Sequence, residues 1–349
     1  TMPVIGKRWR LCHVPRMIET NGGLMNSSTE LASLLDGVRN NDRAALGRAI
    51  TLVESNAPDD RQDAQALLTQ LLPETGGAHR IGISGVPGVG KSTFIESFGL
   101  QLAVNGRRVA VLAVDPSSSI SKGSILGDKT RMEKLAASDR AFIRPSPTGG
   151  SLGGVARKTR EAILVCEAAG YDVVLVETVG VGQSETAVAE MVDFFLVLKL
   201  AGAGDELQGI KRGILELADL IAINKADGDN LQAAELARAE FERALEILRP
   251  TDESGWKPRV VTSSGRTGAG LDEIWKIIGQ HRELLLGSGE FEERRKRQLL
   301  GWMWSLVDEG LRAAIREHPE VAGALEKDVL EGKTTPTAAA EKILSAFKM

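Results

Sequence analysis

Between residues 28 and 72, apolar positions recur every three or four residues, the spacing of one face of a helix. Ser28 or Thr29 is the expected cap of a segment through Leu34 and Leu35, and Asp42 of the segment carrying Leu46 and Ile50. Asp59 to Leu72 continues the helical pattern, and Pro73 with Gly76-Gly77 ends it. The period then changes. Arg80–Ser84, Arg108–Val114, Ala141–Pro145, Asp172–Glu177, Phe194–Leu200, Leu220–Asn224 and Arg259–Thr262 are short apolar runs, mostly continuous and rich in Val, Ile and Leu. Continuous runs suit central strands covered on both faces. Helical stretches separate them: Ser92–Asn105, Ser151–Ala169, Gly209–Leu217, Leu231–Leu248 and Gly270–Leu285.

This alternation predicts an α/β fold with right-handed crossovers and a mostly parallel central sheet. Ligands then sit at the carboxyl ends of the strands. After Leu286 the pattern changes again. Gly287-Ser288-Gly289 reads as a hinge-like break, Glu290 to Glu317 as a long charged helix, and Pro336 to Phe347 as a further helical region. The expected layout is an extension at 1–25, a helical segment at 26–78, a nucleotide-binding domain at 79–286 and a helical tail at 287–349. That tail is too small to bury a core of its own, so it should pack on the body or on another copy.

The chemistry begins where a predicted strand meets a predicted helix. Gly85-Val86-Pro87-Gly88-Val89-Gly90-Lys91-Ser92 matches the GxxxxGK[ST] pattern in that context. Its glycines let backbone N–H groups face phosphate oxygens, and the next helix adds its dipole. Lys91 is placed to bridge the β- and γ-phosphates and Ser92 to ligate Mg²⁺. Asn224-Lys225-Ala226-Asp227 follows another strand. The Asp227 carboxylate there accepts N–H groups of guanine, whereas adenine would present it with an acceptor. Asn224 braces this loop and the Lys225 stem covers the base. Thr262-Ser263-Ser264 ends the last strand, where short polar side chains and amides can reach the guanine carbonyl; an ordinary strand-end turn is the alternative.

Acidic residues lie between these motifs. Asp115 and Glu177 end apolar strands, and Asp128 sits in Gly127-Asp128-Lys129-Thr130-Arg131. A carboxylate at a strand end facing phosphates can hold Mg²⁺ directly or through water, while a helix cap or surface ion pair is the plainer role. The Gly180 N–H is placed to reach the γ-phosphate, so the loop Val179–Glu185, with Gly182 and Gln183, should sense GTP against GDP. Composition narrows the setting. The chain of 349 residues is 42% hydrophobic and only 4% aromatic, with 38 glycines. Its net charge of -4 gives no reason to expect nucleic acid or an acidic membrane as partner. Cys12 and Cys166 form no CxxC and fit a reducing compartment. Lys7, Arg8, Arg10 and Arg16 precede the first acidic residue, Glu19, as in a transit peptide or an unstructured extension. The expected location is the cytoplasm, or the mitochondrial matrix if that stretch is a transit peptide.

Together the motifs resemble a known family. Gly85–Thr93, Val114-Asp115-Pro116-Ser117-Ser118, Ile125–Met132, Arg144-Pro145-Ser146-Pro147, Glu177–Glu185 and Asn224–Asp227 look like the MeaB/MMAA/ArgK family of SIMIBI-class P-loop GTPases, from about residue 28 to the end. The resemblance implies a GTPase that serves adenosylcobalamin-dependent methylmalonyl-CoA mutase, gating cofactor delivery and protecting that enzyme. It implies Mg²⁺ at the residues matching Ser92, Asp115, Asp128 and Glu177, and switch loops at Asp115–Asp128 and Val179–Glu185. A third mobile loop matches Ala201 to Lys211, with exposed Asp205, Glu206 and Lys211. It also implies a homodimer whose C-terminal helices form an arm. Lys91 and Gly180 then act directly on the γ-phosphate. Val181 stands directly after Gly180 where a glutamine could orient water, and Gln183 lies two residues further on, so intrinsic hydrolysis should be slow. The rival readings are a nickel-insertion GTPase, a transport-associated kinase or ATPase, and a nucleotide-dependent scaffold. The scattered His13, His79, His281 and His318 oppose the first.

Overall fold

The computed structural model describes residues 24–114, 132–145, 152–178, 184–202, 212–248, 255–316 and 319–346. Three helices come first: α1 (Leu24–Arg39), α2 (Arg43–Glu54) and α3 (Pro58–Leu71). Asp42 caps α2 as expected, accepting the Ala45 N–H at 2.6 Å. Ser28 and Thr29 do not cap α1, because that helix already starts at Leu24 and contains both.

The rest alternates. In order come β1 (His79–Gly85), α4 (Lys91–Val104), β2 (Val109–Val114), α5 (Glu133–Ala136), β3 (Ala141–Arg144), α6 (Leu152–Ala168), β4 (Val173–Thr178) and α7 (Ser184–Ala189). Then follow β5 (Phe194–Leu200), α8 (Arg212–Leu217), β6 (Leu220–Asn224), α9 (Leu231–Leu248), β7 (Arg259–Thr262) and α10 (Leu271–Ser288). The C-terminal helices are α11 (Glu290–Arg316), α12 (Pro319–Leu330) and α13 (Pro336–Ala346).

The strands form one seven-stranded sheet in the order β3-β2-β4-β1-β5-β6-β7, and every pair is parallel. From β1 the chain runs to β2 and β3 on one side, returns to β4 beside β1, and crosses to β5, β6 and β7 on the other, so a crevice opens at the carboxyl end of β1. Register aligns that edge: Ile83 pairs with Glu177, Gly85 with Leu198, Leu200 with Asn224 and Ile223 with Thr262. The continuous apolar runs are explained by burial on both faces. Val173 and Leu175 join Phe94 and Phe98 in one core, while Val174 and Val176 join Leu46 and Ile50 in the other. Among the described residues no helix is long and apolar enough to cross a membrane.

The hinge-like break is shorter than the sequence suggested. Helix α10 runs through Gly287 and Ser288, and only Gly289 leaves it, at φ 76°. Helix α12 was not expected at all. It begins with Pro319 at its first position, where the missing N–H costs nothing.

Helix α11 is tied to the amino edge of the sheet. Arg295 donates from Nε and Nη2 to the two Asp193 oxygens at 2.8 and 2.7 Å. Asp193 also accepts the Arg80 backbone N–H at 3.0 Å, and the Arg80 guanidinium pairs with both Glu167 oxygens at 2.9 and 2.7 Å. Burial by itself would raise the Asp193 carboxyl pKa, but the Arg295 hydrogen bonds and charge, with Arg80, hold it below its usual value. Arg295→Ala leaves a buried carboxylate short of its partner, so urea melts should show a loss of about 3–5 kcal/mol at neutral pH. For a depressed carboxyl the stability is fully present above the unfolded value of 3.8 and fades as pH falls through and below it. In Arg295→Ala burial is less opposed, so acid destabilisation should begin at a higher pH than in the wild type.

Candidate functional site

The crevice at the end of β1 gathers the P-loop, the loop after β6 and the loop after β7. The P-loop turns at Gly90, the residue capping α4, which sits at φ 93°. A Cβ there would stand 3.1 Å from Asn224 Nδ2, so glycine is required both by conformation and by the closeness of the β6 loop. Lys91 Nζ donates to the Gly85 carbonyl at 2.6 Å and the Val86 carbonyl at 3.3 Å, which folds the side chain over the loop. Burial lowers the ammonium pKa from the ordinary lysine value, while the Glu177 and Glu185 carboxylates pull it back up. A partly desolvated cation between carboxylates is suited to receive a polyphosphate.

Ser92 and Glu177 meet as expected. The Ser92 hydroxyl donates to Glu177 Oε1 at 3.2 Å, and Glu177 is buried at the end of β4. Both are hard oxygen donors beside the phosphate loop, the donor type and placement that fit Mg²⁺. Asp115 and Asp128 lie outside the described residues, as do Val179, Gly180, Gly182, Gln183, Asp205, Glu206 and Lys211.

Asn224 couples the loop after β6 to the P-loop. Its buried amide donates to the Val89 carbonyl at 2.9 Å, and its oxygen accepts from the Gly265 N–H at 3.1 Å and the Ser263 hydroxyl at 3.4 Å. Lys225 adopts φ 59°, a left-handed conformation rare for a side-chain-bearing residue. Its Nζ reaches back to the Gly88 carbonyl at 2.8 Å, and Asn230 Nδ2 holds its own carbonyl at 2.8 Å. The two bonds hold the backbone in this sparsely populated region, of a kind that clusters at ligand sites. Asp227 faces the same crevice. One of its oxygens accepts the Ser264 hydroxyl and the other lies 3.9 Å from Arg266 Nη1.

The loop after β7 divides in two. Ser263 and Ser264 join the cluster, whereas the Thr262 hydroxyl turns to Glu235 on α9 at 3.2 Å and does not meet Asn224 or Asp227. Sequence reasoning missed Gly265. A Cβ there would stand 2.8 Å from the Phe94 backbone nitrogen, so the loop closes onto α4 only with glycine. The glycine directly after Thr-Ser-Ser was the available signal. The P-loop, the Asn224–Asp227 loop and the Ser263–Gly265 loop are therefore one hydrogen-bonded unit.

A family model described as "Methylmalonyl Co-A mutase-associated GTPase MeaB" matches residues 46–320, well over half the chain. The chain belongs to the MeaB family of GTPases. A putative GTPase of Caulobacter vibrioides is 58% identical over 88% of this chain and 94% of its own length. The mouse "Methylmalonic aciduria type A homolog, mitochondrial" is 46% identical over 98% of this chain and 86% of its own. A crystal structure described as LAO/AO transport system kinase superposes with a TM-score of 0.76 at 39% identity, covering 94% of this chain and 100% of that one. The fold is that of a P-loop GTPase, and the chain is a GTPase, hydrolysing GTP to GDP and phosphate.

Proposed function

We propose that this GTPase is a chaperone of an adenosylcobalamin-dependent methylmalonyl-CoA mutase, gating cofactor loading and protecting that enzyme from inactivation. The observation that carries this is the match to a mutase-associated family over residues 46–320, which spans the whole guanine site. Ser92 and Glu177, with Asp115 and Asp128, would hold Mg²⁺, which when bound neutralises charge on the β- and γ-phosphates. Lys91 leaves the Gly85 and Val86 carbonyls to bind the γ-phosphate, and the Gly180 N–H donates to the same group. Asp227 and Asn224 select guanine, with Ser263 and Ser264 behind them and Lys225 over the base.

The switch loops in this reading are Asp115–Asp128, Val179–Glu185 and Ala201–Lys211. Val181 stands directly after Gly180, where a glutamine could orient water, and Gln183 lies two residues further on, so in this reading the partner accelerates hydrolysis by ordering these loops. The working layout is a helical segment at 26–78, the GTPase domain at 79–286 and an arm at 287–349. A homodimer is supported by the arm itself. Leu300, Trp304, Val307 and Leu311 form an exposed apolar stripe along α11.

The experiment is a pull-down of a recombinant B12-dependent mutase with this protein loaded with GDP or with a non-hydrolysable GTP analogue. A complex whose strength differs between the two states is expected. No complex in either state would sink the chaperone reading and leave the GTPase intact.

A further inference from the structure

Helices α1, α2 and α3 enclose a groove of about 810 Å³, within the roughly 300–1,000 Å³ of ligand sites. Leu31 and Leu34 of α1 and Leu52 of α2 give it an apolar wall; all three are half-buried and rest against the core. Glu30 of α1 and Asp60 and Asp63 of α3 bring three carboxylates to its rim, and Arg48 of α2 brings one guanidinium. Asp60 accepts the Ser55 hydroxyl, but among the described residues none of these four charged groups forms an ion pair.

Charge and chain connection say which occupant suits it. Residues 1–23, which lie outside the described residues, carry the opposite pattern: basic Lys7, Arg8, Arg10 and Arg16 against the single acidic Glu19. They also carry apolar Trp9, Leu11 and Val14 to meet the leucine wall. The segment runs directly into α1, the helix that forms one side of the groove. Glu30 stands about 9 Å along α1 from Leu24, while the eight residues from Arg16 to Leu24 span up to about 26 Å when extended. The basic residues therefore reach the rim, and the tether holds them there at an effective concentration near the millimolar range. A second copy is a poorer occupant. Removing the segment's +3 from the chain's net charge of -4 leaves -7 on the body, which an acidic groove repels.

We infer that the α1–α3 groove is an intramolecular docking site for the chain's own basic segment at residues 1–23. Arg10 and Arg16 pair with the carboxylates of Glu30, Asp60 and Asp63, Glu19 pairs with Arg48, and apolar side chains between them cover Leu31, Leu34 and Leu52. The inference is independent of the chaperone reading, since it concerns this chain alone.

Cys12 lies between Arg10 and Arg16, and the chain's other cysteine, Cys166, is fully buried on α6 with its thiol pKa pushed up by that burial. A neutral alkylating reagent therefore reads the segment through Cys12 and reads unfolding through Cys166. The test uses the full chain at low salt. It divides the Cys12 labelling rate in urea by the rate in buffer, which corrects for any change in intrinsic thiol reactivity. Wild type is compared with a groove reversal (Glu30→Lys with Asp63→Lys), a segment reversal (Arg10→Glu with Arg16→Glu) and the two combined. Cys12 should be protected in the wild type. Each reversal should cut that protection about tenfold or more, the combined worth of a few surface ion pairs, and the combination should regain much of it. Added salt should weaken protection, while Cys166 stays unlabelled and GTP turnover stays unchanged in every variant. Cys12 labelling in the wild type as fast as in the unfolded chain overturns the inference. So does protection that neither reversal alters, or that the combined variant fails to regain. Protection that grows with protein concentration also overturns it, giving the groove to a segment of a second copy.

Discussion

Lys91→Ala should lower the GTP turnover number by about 10²–10³-fold or more, the usual effect of removing one preorganised charge from a transition state. The geometry supports a large effect. The Lys91 ammonium is partly desolvated and rests on the Gly85 and Val86 carbonyls, so it stands at the loop that will carry the phosphates. It gives up those two neutral acceptors for a γ-phosphate whose charge spreads during transfer. The fold should survive, because the lysine packs against backbone and not within either core. Single-turnover assays with saturating GTP separate lost chemistry from lost binding. A variant hydrolysing GTP within a few-fold of wild type would mean that the P-loop lysine does not act on the phosphate here.

Asp227→Asn should invert base preference. The Asp227 carboxylate offers only acceptors, and guanine presents donors at N1 and at its amino group. Each hydrogen bond to an ionised group contributes about 1.5–3 kcal/mol, so losing two costs roughly 10²–10⁴ in GTP affinity. The amide keeps an oxygen for the Ser264 hydroxyl and turns its NH₂ toward the base. Xanthine carries a carbonyl where guanine carries its amino group, so XTP should bind the variant better than GTP does. Fluorescent-nucleotide competition measures both affinities. Unchanged preference for GTP would remove Asp227 from base recognition.

Much of the candidate site was legible because its chemistry is local. The glycine spacing of residues 85–92 and the Asn224–Asp227 tetrad each report a single loop, and each follows a strand whose Val, Ile and Leu run is continuous owing to burial on both faces. What was illegible depends on neighbours distant in sequence. Asn224 ties to Val89 and Gly265, Arg295 to Asp193 and Arg80 to Glu167, and none of these pairings leaves a local pattern. The short helices Glu133–Ala136 and Ser184–Ala189 are too brief to show a helical period. The Thr262 hydroxyl parts from Ser263 and Ser264 because alternation along a strand turns it to the face that carries Glu235. At Gly287 and Ser288, helix propensity gave the wrong boundary because α10 continues by one more half-turn before Gly289 releases it.

The most direct measurement of the central claim is steady-state GTP turnover by the purified protein alone and with a saturating B12-dependent mutase. Slow hydrolysis alone and a clear acceleration with the mutase, absent in Lys91→Ala, are expected. Turnover that is already maximal without the mutase, or unchanged by it, would contradict the account.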